Sequence, residues 1–197
     1  MYKKQIKCQK ILCIAAIIIC AIAFLYALGL MTDLYDALYS TMRDPYDLTV
    51  TDVPGSIIYY MMQDFNKALL RYAIGLILLA CLLFLTQTHV RRKYYIGNYV
   101  SVGLFSVASI AYAVWAHGWI EGYKYAFLTQ VDFEALQKHA DMWKTAYVDS
   151  TFWFDLHYPV YALLLIVVVL LIANLIWKAK LMKEENRLIA AGKEAVA

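Results

Sequence analysis

Four side chains in the sequence carry groups that bind transition metals. His117 and Glu121 stand four residues apart, and Asp155 and His157 stand two apart further along the chain. Imidazole nitrogens and carboxylate oxygens are ligands for zinc and manganese. Positions four apart on a helix lie on the same face, so that His117 and Glu121 can act together. These four residues are therefore the candidate ligands of a metal site or the groups of a proton-handling site.

The same four residues also have a structural interpretation. Their spacing is not the H-E-x-x-H signature of a zinc enzyme, and a histidine four residues from a glutamate is common by chance. In this interpretation they cap helix ends and pair with basic neighbours such as Arg71 or Lys124. The sequence favours the structural interpretation. It leaves the metal site as an alternative, because ionisable groups near a membrane often serve a function.

The sequence contains none of the common patterns of catalysis or cofactor binding. It has no glycine-rich phosphate loop, no G-x-S-x-G and no C-x-x-C. Its four cysteines, Cys8, Cys13, Cys20 and Cys81, lie in or beside apolar runs, which leaves no disulfide framework for an exterior domain. We therefore expect no catalytic residue and no cofactor, and we expect that the chain is not an enzyme.

The elements that must position these residues are membrane helices. Hydrophobic residues make up 63% of the 197 residues, and the mean hydropathy is +0.57, which is too apolar for a soluble domain. A helix needs roughly 20 apolar residues to cross a bilayer. Four runs reach that length, at about 11–30, 68–88, 95–120 and 158–177. The predicted fold class is an all-α integral membrane protein with four transmembrane helices in a single polytopic domain.

Basic residues are concentrated before the first span, between the second and third, and after the fourth. The positive-inside rule places these segments, 1–10, 89–94 and 178–197, in the cytoplasm. The acidic segments 32–67 and 121–157 are then extracytoplasmic. The sequence thus predicts a multi-pass protein of the cell membrane with both termini cytoplasmic and two antiparallel helical hairpins. We expect no nucleic-acid partner, because the outer segments offer no basic surface.

The two outer segments are predicted to form an extracytoplasmic cap of helical crossovers. The second membrane helix should begin near Ile57, before its apolar run, and project out of the bilayer. In the second outer segment, apolar residues recur every three or four positions, which is typical of a short amphipathic helix. These residues are Phe133, Leu136, Ala140, Trp143 and Tyr147.

Small side chains recur at helical spacing along two of the predicted spans. Small residues let membrane helices approach closely, and close packing is what holds such helices together. We therefore expect the two small faces to pack against each other. They comprise Cys13, Ala16, Cys20, Ala23 and Ala27 in the first span and Gly103, Ser106, Ser109 and Ala113 in the third.

The leading functional hypothesis is a non-enzymatic accessory or interaction subunit of a larger membrane complex. It rests on the acidic, aromatic-rich outer cap, since aromatic residues and methionine are enriched at interfaces. The expected partners are the lipid bilayer and either another membrane protein or further copies of the chain. One alternative is an oligomeric transporter or channel with its pathway along the small polar face of the third helix. A second alternative is a metal-dependent membrane enzyme that uses the His/Glu/Asp/His set.

Overall fold

The computed structural model describes residues 2–41, 47, 50–87 and 95–194, and all regular elements in these ranges are helices. The predicted all-α class is therefore confirmed. The basic link predicted at 89–94 lies outside the described residues. The six helices are α1 (Tyr2–Tyr39), α2 (Ile58–Gln87), α3 (Tyr95–Gln130), α4 (Phe133–Trp143), α5 (Phe152–Asp155) and α6 (His157–Glu194).

Within the described residues, four stretches of helix are long and apolar enough to cross a membrane, as the sequence predicts. They are Lys3–Thr32, Ile58–Gln87, Ile96–Gln130 and Phe152–Ala191. Each is longer than the apolar run that predicts it. Hydropathy detects only the apolar part of a helix, whereas the backbone hydrogen bonds continue through the more polar turns at its ends.

The chain forms two compact units, and each of the four long helices contributes residues to both. We call Met1–Cys20, Leu76–Ile110 and Leu163–Ala197 the first unit. Ala21–Gly75 and Ala111–Ala162 form the second unit. The four residues that could do chemistry all belong to the second unit.

Most of the small residues predicted for helix packing are buried. In α1, Cys13 points its thiol at the Leu83 carbonyl of α2, with 3.9 Å between sulfur and oxygen, so the neighbour of α1 at this position is α2. Gly103 of α3 is exposed, and a Cβ added there would meet nothing within 4 Å. The buried members are Cys13, Ala16, Cys20, Ala23, Ala27, Ser106, Ser109 and Ala113.

The turn before α2 packs closely against the end of α3 in the second unit. Gly55 has a positive φ of 81°, a conformation that glycine adopts at little cost. A Cβ at this position would lie 1.9 Å from the Gln130 carbonyl oxygen. The backbone N–H of Asp132 donates to the Pro54 carbonyl at 3.0 Å. Gly55 is therefore required by a close approach of two backbones.

Helix α4 has well-defined ends. The Asp132 side chain accepts a hydrogen bond from the Ala135 N–H at 3.0 Å, which caps the N-terminus. Lys144 has a left-handed conformation with φ 55°, which stops the helix after Trp143. Tyr147 therefore lies beyond α4, although the apolar period of the sequence extends to it. Leu136 and Ala140 form the buried face of the helix.

An aromatic cluster in the second unit holds α4 and α5 against α3. Phe127 of α3 is fully buried, and its ring centroid lies 5.1 Å from Phe133 of α4 and 5.4 Å from Phe154 of α5. Phe154 is also fully buried. This cluster matters for the site described next, because Phe154 contributes its backbone carbonyl to that site.

Candidate functional site

Two histidines and one glutamate converge at the start of α6. His117 and Glu121 lie one turn apart on α3, and His157 is the first residue of α6. The His117 Nδ1 and His157 Nε2 atoms are 2.8 Å apart, and His157 Nε2 lies 3.9 Å from Glu121 Oε1. One ligand atom from each of the three residues falls within 4.8 Å of the other two. We call these three residues the His–Glu–His cluster.

The orientation of His157 is fixed by the backbone of α5. Its Nδ1 is hydrogen-bonded to the Phe154 carbonyl oxygen. A carbonyl can only accept, so Nδ1 must carry the hydrogen and, in the neutral ring, Nε2 carries the lone pair. The ring is fully buried, and Nε2 faces His117 and Glu121. His117 then donates its own Nδ1–H to this lone pair.

Glu121 is oriented by a hydroxyl group. Tyr158 donates its phenolic O–H to Glu121 Oε1 at 2.8 Å. The Tyr158 ring also packs on the His157 ring, with 4.1 Å between the centroids. Neighbouring residues of α6 therefore position the second imidazole and the carboxylate together.

Asp155, the fourth residue of the predicted set, makes other contacts. Its carboxylate forms an ion pair with Lys124 and accepts a hydrogen bond from the Thr151 hydroxyl at 2.6 Å. Both of its oxygens thus have partners outside the cluster. The ion pair with Lys124 is one of the contacts expected in the structural interpretation.

Buried tyrosines pack around His157. Tyr161 is almost fully buried, and its ring meets the His157 ring edge to face with 5.5 Å between the centroids. Tyr26 of α1 and Tyr112 of α3 pack on Tyr161 in the same way, at 6.0 and 5.5 Å. These buried rings help to exclude water from the His157 imidazole, whereas His117 is exposed.

The first unit contains a second polar cluster, which sequence reasoning missed. Gln5 donates to Asn174 at 2.6 Å and to Gln9 at 3.1 Å, and Gln9 donates to Asn98 at 2.7 Å. Lys178 also donates to Asn98, at 3.1 Å. The four amides are buried and connect α1, α3 and α6. The sequence contains one indication of this cluster, the i, i+4 spacing of Gln5 and Gln9, which puts both amides on one helical face.

No protein-family model, curated protein or solved structure matches this chain. The function must therefore be argued from the residues and their geometry.

Proposed function

We propose that the chain is a non-enzymatic multi-pass protein of the cell membrane that serves as an accessory subunit of a larger membrane complex. The observation that supports this proposal is the exposure of the C-terminal end of α4. Met142 and Trp143 are 72% and 65% exposed, in the stretch between the third and fourth candidate spans. We call these two residues the α4 docking surface.

The exposure of Trp143 is the stronger part of this argument. Tryptophan and methionine are enriched in protein interfaces, and tryptophan is frequent among the residues that contribute most to binding. Trp143 lies outside the candidate spans, and in the proposed arrangement the hydrocarbon core of the bilayer does not cover it. Asp141 and Asp149 are exposed nearby in the sequence. Lys144 is exposed beside Trp143 as well, so the rim of the surface carries charges of both signs. The proposed partner is therefore a membrane protein that presents an apolar pocket.

A co-purification experiment tests the docking surface. Trp143→Ala is expected to remove a partner that co-purifies in stoichiometric amount with the wild-type chain from native membranes. The matched control is Gln137→Ala, since Gln137 is exposed on the same helix and is polar. The control variant should retain the partner.

A photo-reactive amino acid at position 143 then identifies what the surface contacts. We expect an adduct with the co-purifying protein that is clearly stronger than the adduct from position 137. An adduct with lipid alone would contradict the proposal and place the surface in the headgroup region. An adduct between two copies of the chain would also contradict it and favour the homo-oligomer.

The topology belongs to the same proposal. We propose two antiparallel hairpins, α1 with α2 and α3 with α6, with both termini in the cytoplasm and α4 outside. The support is the concentration of basic residues at 1–10, 89–94 and 178–197, because such residues are retained on the cytoplasmic side. This arrangement makes the α4 docking surface available only to a partner with an extracytoplasmic face.

Cysteine labelling in intact cells tests the topology. Gln137→Cys is expected to react with a membrane-impermeant maleimide, whereas Lys183→Cys should react only after the cells are permeabilised. The wild-type chain is the control for its four native cysteines. Labelling of Lys183→Cys in intact cells would show that the C-terminus is outside and would overturn the proposed orientation.

A further inference from the structure

We infer that the His–Glu–His cluster binds one transition-metal ion of the zinc class, with His117, Glu121 and His157 as its ligands. This site goes beyond the proposed accessory function and does not depend on it. The inference rests on the donor atoms, on their separations and on the groups that orient them.

The donor set favours zinc over the alkaline-earth cations. Two imidazole nitrogens and one carboxylate oxygen are ligands of Zn²⁺, whereas Mg²⁺ and Ca²⁺ are bound by oxygen ligands. Three protein ligands leave one position of a tetrahedral ion for water or for a further ligand. The cluster therefore resembles an open zinc site and not a closed structural one.

Two of the three ligand separations require only small movements, and the third, between His117 and Glu121, is within 4.8 Å. Ligands at about 2.0–2.1 Å from a tetrahedral ion lie roughly 3.3 Å from each other. His117 Nδ1 and His157 Nε2, now 2.8 Å apart, must separate by about half an ångström. Glu121 Oε1, now 3.9 Å from His157 Nε2, must approach by a similar amount. His117 is exposed and can make its share of the movement without disturbing the core.

His117 can change its tautomer when the metal binds. With the His157 Nδ1–H bonded to the Phe154 carbonyl and both rings neutral, the His117 Nδ1–H donates to His157 Nε2, and a metal needs both nitrogens as lone-pair donors. The neutral ring of His117 can shift its proton from Nδ1 to Nε2, because this ring is exposed to solvent. Binding through Nδ1 therefore keeps the ring neutral and requires no net loss of a proton.

The groups around the cluster are those that a metal site needs. Histidine ligands commonly donate their other N–H to a backbone carbonyl, and the Phe154 carbonyl accepts it from His157. The Tyr158 hydroxyl donates to the Glu121 carboxylate and orients this second ligand. Asp155 forms an ion pair with Lys124. The Lys124 ammonium therefore has a carboxylate partner other than Glu121. Asp155 is thus a positioning residue and not a ligand.

Metal titration of the untagged, full-length protein in detergent tests the site. After treatment with a chelator, the wild-type protein is expected to bind one equivalent of Zn²⁺ in competition with a chromophoric indicator. Co²⁺ in place of Zn²⁺ should give the visible absorption bands of a tetrahedral ion. His117→Ala and Glu121→Gln should each weaken Zn²⁺ binding by more than about 100-fold, and Tyr158→Phe by about 10-fold.

His139→Ala is the matched control, because His139 lies on α4 outside the cluster. This variant should retain one equivalent of Zn²⁺. His117 is exposed, so its variant is expected to fold, and circular dichroism checks this point. If the wild-type protein binds no Zn²⁺, or if folded His117→Ala and Glu121→Gln bind it as tightly as the wild type, the inference is wrong.

Discussion

Replacing Gly55 by alanine is expected to destabilise the second unit by about 3 kcal/mol or more. The positive φ of 81° alone costs an alanine about 1–2 kcal/mol. The new Cβ would in addition lie 1.9 Å from the Gln130 carbonyl oxygen and 2.7 Å from the Val131 nitrogen. Both are backbone atoms, so that no side-chain rotation relieves the clash, and the turn must move away from α3. Unfolding of the purified protein in mixed micelles measures the effect.

Gly75→Ala is the control for this substitution. Gly75 lies inside α2, and a Cβ there would meet nothing within 4 Å. Alanine is preferred to glycine in helices by about 1 kcal/mol, so this variant should be as stable as the wild type or slightly more stable. Equal stability of the Gly55 and Gly75 variants would show that the turn before α2 does not pack on α3 as described.

The membrane helices could be predicted from the sequence because their signal is local. A run of roughly 20 apolar residues identifies a span without knowledge of its neighbours. The ends of the helices were harder to predict from the sequence. α1 begins at Tyr2 and continues to Tyr39, whereas its apolar run covers only 11–30. The start of α2 at Ile58 was predicted to within one residue, because a proline–glycine turn and Ser56 precede it.

The cluster at the start of α6 was predictable only in part. The i, i+4 spacing places His117 and Glu121 on one face of α3, and this is a local argument. His157 approaches these two residues and Asp155 does not, because of the position of α5. This single turn ends at Asp155, whose carboxylate contacts Lys124, and its Phe154 carbonyl fixes His157. A sequence pattern does not specify how one short helical turn is oriented against another helix.

The amide cluster of the first unit was not predictable for a related reason. Two of its hydrogen bonds join residues that are 89 and 169 positions apart. Each amide taken alone is a polar residue near the end of an apolar run, which is common. The fold brings four amides together, those of Gln5, Gln9, Asn98 and Asn174. Buried amides in a helix bundle need hydrogen-bond partners, and here they find them in one another.

Phe127→Ala is expected to lower the stability of the second unit by about 3–5 kcal/mol and to loosen α4 and α5. Phe127 is fully buried and joins Phe133 of α4 to Phe154 of α5. An alanine would leave a cavity between three helices and remove both aromatic contacts. Two measurements check the result, namely unfolding in mixed micelles and the rate of trypsin cleavage after Lys138 and Lys144.

The control for this variant is Leu128→Ala, one residue further along α3, because Leu128 is 51% exposed. It should change stability by much less and leave the cleavage rate unaltered. The Phe127 variant should cleave faster at both lysines, since trypsin requires a locally opened chain. Because α5 supplies the carbonyl that orients His157, the same variant should also weaken Zn²⁺ binding although Phe127 is not a ligand. Unchanged cleavage and unchanged Zn²⁺ binding together would show that the aromatic cluster does not position the site.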